Sequence, residues 1–120
     1  MTNPDIPVFD TGHFADVCGD DREFQREIIN DFLSQLDSRL DVIALAVGLR
    51  DPVAVRQAAH ALKGSAASIG ARALAGAADR IELLGRAQAL EDSPAALQQV
   101  LHEAGRLREV LAVHLGERAA

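Results

Sequence analysis

Between residues 24 and 47 the apolar side chains recur at steps of mostly three and four: Phe24, Ile28, Ile29, Phe32, Leu33, Leu36, Leu40, Ile43 and Val47. A helix turning 100° per residue gathers that set into one stripe, whereas a strand would divide it between two faces. A long helix with a single apolar stripe needs other helices to cover it. Punctuation along the rest of the chain marks off those partners. Asp51 as cap and Pro52 at the first helical position open a segment carrying Val55, Ala59, Leu62, Ala66 and Ile69. Gly70 is placed to end it in the left-handed conformation. A further helix directs Leu74, Ala77, Ala78, Ile81 and Leu84 inward. The last starts with Ser93 as cap and Pro94 as first residue. It faces Leu97, Val100, Leu101, Ala104, Leu107 and Leu111 to the core and stops at Gly116.

Ahead of the long helix, which runs to about Gly48, Asp20 and Glu23 make a start resembling a capping box. Before that, "GHFADVC" follows two candidate caps, Asp10 and Thr11, and Gly19 stops it. With no strand pattern, repeat or linker, the expected architecture is all-α: an antiparallel four-helix bundle over residues 20–116 with a short extra N-terminal helix. Residues 1–19 form an arm and cap over one end, and the 120 residues make one domain.

Composition excludes several function classes. A formal net charge of −6 argues against a nucleic-acid partner, which calls for a basic surface. No apolar run approaches the roughly 20 residues that cross a membrane. "MTNPDIPVFD" lacks the basic and apolar regions of a secretory signal, so the expected location is the cytoplasm. One cysteine, Cys18, permits no internal disulfide and reads as a small buried hydrophobe. His13, His60, His102 and His114 contain no i,i+4 pair, so no metal site is expected. Nothing resembles a phosphate-binding glycine loop, so an ATP-dependent kinase is not expected.

One stretch conflicts with a purely structural reading. In "AAHALKGSAASIG", residues 58–70, Gly64 stands in mid-helix, where glycine costs roughly 0.8–1 kcal/mol relative to alanine. With Leu62 at the centre of the core stripe, His60 lies about 160° away, on the outer side. Gly64 and Ala67 fall within roughly 40° of His60, and Arg56, Gln57 and Lys63 within about 60°. A missing side chain beside an outward histidine gives another macromolecule room to approach the ring. Lys63 supplies an ammonium suited to an anion. If the chain reverses around residues 70–72, positions whose numbers sum to about 142 face each other at equal height, by the uniform rise of both helices. Glu82 then stands opposite His60, placed to bond one imidazole nitrogen and leave the other free to attack.

These residues resemble the histidine-containing phosphotransfer (HPt) domain family of bacterial and eukaryotic phosphorelays. His60-Ala-Leu62-Lys63-Gly64, five residues and Gly70 read as the family's H-x-L-K-G, five residues and glycine. "IINDFLSQL" and "GARALAGAADRIE" look like the helices before and after its site, and the similarity spans residues 20–112. The resemblance implies that His60 accepts a phosphoryl group from the phosphoaspartate of one receiver domain and passes it to the aspartate of another. Lys63 would offset phosphoryl charge, and Glu82 would orient the imidazole. Arg56, Gln57, Gly64 and Ala67 would meet the partner, with Arg56 and Lys63 making the site locally cationic. The receiver, from a response regulator or hybrid kinase, would bring Mg²⁺; this chain would bind no cofactor. The initiating Met reads as a free-standing carrier, and one site per bundle as a monomer. The alternative is a helical adaptor that docks receivers without being phosphorylated.

Overall fold

The computed structural model describes residues 6–116; residues 1–5 of the expected N-terminal arm lie outside it. Five α-helices follow in order: α1 (Thr11–Cys18), α2 (Arg22–Leu49), α3 (Pro52–Ser68), α4 (Arg72–Arg86) and α5 (Ser93–His114). A single 3₁₀ turn, Leu90–Asp92, precedes α5, and the described residues contain no strand. Helices α2 to α5 run up, down, up and down. Each packs on the next, α5 closes back on α2, and α3 with α4 is the most extensive pairing. At 1.5 Å per residue α2 spans about 42 Å, which accounts for the 43 Å long axis of the molecule. The core is mainly aliphatic, built on Ile29, Leu36, Ile43, Val55, Leu62, Leu74, Ile81, Val100, Leu107 and Leu111.

The helix starts rest on aspartates. Asp10, Asp21 and Asp51 accept the backbone N–H of His13, Phe24 and Ala54 respectively, satisfying donors that a helix start leaves open. The cap of α2 is therefore Asp21 rather than Asp20. Its stop comes later than Gly48: Arg50 takes the left-handed conformation, with φ 55°, so that Asp51 can turn into α3 at once. Ser93 is the first residue of α5 instead of its cap, because its buried hydroxyl donates to Leu90 O, 2.7 Å away, and ties the helix to the 3₁₀ turn.

Two apolar residues expected inside are outside. Phe24 is 42% exposed, and the neighbouring Gln25 is buried instead, its amide donating to Gly19 O at 2.7 Å. The carbonyl of the α1–α2 turn requires that donor. Leu101 is 39% exposed, one position off the stripe, while Glu103 is buried with Arg106 Nη1 2.9 Å from its carboxylate.

The N-terminal segment closes the end of the bundle where α3 turns into α4. Asp10 N–H donates to Gly70 O at 2.8 Å, and Ala73 N–H donates to Pro7 O at 3.1 Å. Gly70 has φ 83°, and a Cβ there would sit 2.9 Å from Asp10 O, so both the turn and the close approach require glycine. Phe9, Phe14 and His114 pack ring against ring, with centroids 5.2 to 5.8 Å apart. Cys18, at the end of α1, is buried in the core, and burial pushes its thiol up, away from the reactive thiolate. Arg22 and Arg26 donate to His114 O and Leu115 O at 3.1 Å each, satisfying the last carbonyls of α5.

His114 Nε2 is buried with no hydrogen-bond partner among the described residues. Burial, aided by the nearby Arg22 charge, pushes the imidazole below the usual histidine range. The neutral ring is the one that fits, so its contribution to stability is complete above about pH 6.5 and declines as pH falls below it. Between pH 7.5 and 5 the wild type should therefore lose more stability than His114→Phe, read as the difference in their urea midpoints.

Small residues bring α3 and α4 together. Ala59, Ala66 and Ala78 are fully buried between neighbours. At Gly85 a Cβ would lie 2.9 Å from Arg56 N and 3.0 Å from Pro52 O, so the two backbones all but touch there. Gly85→Ala should lower stability by about 1–3 kcal/mol through overpacking, measured by denaturant unfolding.

Candidate functional site

The close approach of α3 and α4 lets a short side chain on one reach the other. His60 stands on the outer face of α3, its side chain 68% exposed, and Glu82 on α4 reaches across to it with a side chain only 2% exposed. Nδ1 of His60 lies 2.9 Å from Glu82 Oε2. An ionised carboxylate only accepts, so the ring nitrogen facing it must carry the hydrogen. Nε2 is left pointing away from that bond with its lone pair unused.

Burying a carboxylate costs several kcal/mol unless cations and donors compensate. Here they surround it. Lys63 Nζ stands 2.5 Å from Oε1, a charge contact without hydrogen-bond alignment, and Arg86 Nη2 donates to Oε2 at 3.0 Å. The Lys63 ammonium outweighs desolvation and, with the His60 bond, holds the Glu82 carboxyl below the usual carboxylate range. Lys63 in turn donates to Asp79 Oδ1 at 3.2 Å, and Glu82 first, then Asp79, keeps its ammonium above the usual lysine range. Both groups are therefore ionised at neutral pH. Lys63 is the chain's single lysine.

The remaining residues named from the sequence lie around this cluster on α3. Gln57, Gly64 and Ala67 are exposed and Arg56 is half-buried, its backbone in the contact with Gly85. A Cβ on Gly64 would meet nothing within 4 Å, so packing inside this chain gives no reason for the glycine. The expectation of a locally cationic site needs correcting. Of the two cations it named, Lys63 is met by Glu82 and Asp79, and Arg86 also pairs with Glu82, so the charge beside His60 is largely balanced. Arg56 is the named cation left without a carboxylate partner among the described residues.

A model of the Hpt domain family matches residues 27–110. The chain belongs to that family. The match covers all of α3 and α4, and with them every residue of the cluster. The fold of this Hpt domain is that of histidine-containing phosphotransfer protein B from Pseudomonas aeruginosa PAO1, whose crystal structure superposes with a TM-score of 0.86. The two share 24% sequence identity, over 94% of this chain and 98% of the other. No curated protein sequence matches the chain significantly.

Sequence reasoning overlooked three residues that build this cluster: Asp79, Gly85 and Arg86. Two were within reach of rules already applied. Positions 63 and 79 sum to the same 142 as 60 and 82, which sets Asp79 opposite Lys63, and Arg86 follows Glu82 by four residues, one helical turn. Gly85 had no such signal, since a glycine near a helix end ordinarily reads as a stop.

Because the space beside Gly64 is open, Gly64→Ala should stabilise the isolated domain by about 0.5–1 kcal/mol. Gly64→Gln should leave it folded while weakening receiver binding, with calorimetric titration as the check.

Proposed function

We propose that this Hpt domain is a phosphoryl carrier of a multistep phosphorelay and that His60 Nε2 is the atom that carries the group. The observation behind the assignment is the bond from His60 Nδ1–H to a buried, ionised Glu82 on an otherwise exposed ring. It fixes the tautomer, orients the imidazole and leaves Nε2 as nucleophile.

The step balances without help from a base. Nε2 attacks the phosphorus of a receiver's aspartyl phosphate; the N–P bond forms as the P–O bond breaks, and the aspartate carboxylate leaves with the electron pair. No proton has to leave Nε2, because the hydrogen is on Nδ1. The ring becomes cationic, and the Glu82 carboxylate across the Nδ1–H bond opposes that charge. Passing the group to another receiver's aspartate reverses the sequence. Such transfers depend on positioning and electrostatics, so a small helical domain can supply one half of the reaction.

The receiver would lie over the outer face of α3, using the clearance at Gly64 and Ala67 and contacts from Gln57 and Arg56. Mg²⁺ would come with the receiver's acidic site. Lys63 would meet the phosphoryl oxygens. Receivers of response regulators and hybrid kinases are the partners this reading requires, and one site per bundle suits a cytoplasmic monomer. Among the described residues no helix is long and apolar enough to cross a membrane.

The test is transfer from a phosphorylated receiver domain, followed by mapping the label. It should arrive on His60, be lost in acid and survive in alkali. His60→Gln should take none, and Lys63→Ala should take it roughly tenfold more slowly, less than the roughly hundredfold of an enclosed donor because the lysine is 32% exposed. A wild type that binds receivers but stays unlabelled would identify an adaptor instead.

A further inference from the structure

Glu82 Oε2 has two partners on the same oxygen: the His60 ring at 2.9 Å and the Arg86 guanidinium at 3.0 Å. The second is unnecessary in the resting state, because Lys63 already faces the other oxygen at 2.5 Å. It becomes necessary once a phosphoryl group is present. A dianion on His60 competes for the Lys63 ammonium, which sits one helical turn along α3 on a flexible stem. If Lys63 turns to it, a carboxylate only 2% exposed loses its principal cation. A buried carboxylate in that position draws a proton, and the nearest proton is the one on His60 Nδ1. The ring would then lose the hydrogen that lets it depart as neutral imidazole when the group is passed on.

We propose that Arg86 is a positioning residue of this Hpt domain: it keeps Glu82 charged and bonded to His60 when Lys63 leaves to meet the phosphoryl group. The inference rests on the phosphotransfer reading above. The geometry suits the task. Arg86 follows Glu82 by four residues on α4, so its guanidinium reaches the carboxylate without crossing to α3, and its side chain is 59% exposed and unhindered by the core. Asp79 completes the arrangement on the other side, holding the Lys63 ammonium at 3.2 Å while His60 is bare. The two cations thus divide the work. Lys63 moves between carboxylates and phosphoryl oxygens, and Arg86 stays.

The test is a double-mutant cycle on the rate at which label passes from phosphorylated His60 to an acceptor receiver, with unfolding midpoints as a control for the fold. Arg86→Gln should slow transfer about three- to tenfold, the effect of a charged hydrogen bond reduced by exposure. Arg86→Lys should recover most of the loss, because a cation is what the carboxylate needs. In a Lys63→Ala background Arg86→Gln should change the rate by a different factor than in the wild type, since the two cations serve one carboxylate. Transfer at the wild-type rate in Arg86→Gln, or equal factors in both backgrounds, would overturn the proposal while leaving His60 as the carrier. A wild type that takes no label would overturn both.

Discussion

The contact between the backbones of α3 and α4 at Gly85 sets the distance on which the rest of the site depends. A glutamate side chain is short, and Glu82 spans from one helix to a histidine on the other only because the axes come this close. The same approach encloses the Glu82 carboxylate, with its 2% exposure, and gives its electrostatics weight. Solvent is excluded on the Glu82 side alone, since the His60 ring is 68% exposed, so the coupling exceeds that of a pair in water but falls short of that of a buried one. Bundle geometry and imidazole orientation are therefore one feature, and the small residues lining α3 and α4 serve both.

Charge in the cluster is arranged for change. Two cations and two carboxylates stand around the His60 ring, with the Lys63 ammonium shared between Glu82 and Asp79 at 2.5 and 3.2 Å. A permanently bound phosphate would call for uncompensated cations. A group that must arrive and leave is better met by a lysine with other places to rest. In the phosphotransfer reading proposed above, the exposure of His60 and the burial of Glu82 separate the roles: the atom that would react belongs to the surface, and the group that would orient it belongs to the interior.

At the end where α3 turns into α4, the hairpin depends on the N-terminal segment. Asp10 caps α1 through its side chain and holds the α3–α4 turn through its backbone N–H, and the Phe9–Phe14–His114 cluster joins that segment to α5. The chain passes from His60 on α3 to Glu82 on α4 through this turn, so the cap steadies the hairpin from one end while the Gly85 contact steadies it from the other.

Much of this was legible in the chain itself. The stripe from Ile28 to Val47, the Asp51-Pro52 start and the Gly70 stop determined an all-helical bundle, because period, caps and breakers are local properties. The outward angle of His60 and its height opposite Glu82 also followed, since both depend only on helix geometry and the place where the chain reverses. The close approach at Gly85, the exposure of Phe24 and Leu101, the burial of Gln25 and Glu103, and the contact of Lys63 with Glu82 were decided by tertiary structure. Each depends on which neighbour stands within a few ångströms, and residue spacing along one helix carries no information about how far away the next helix is.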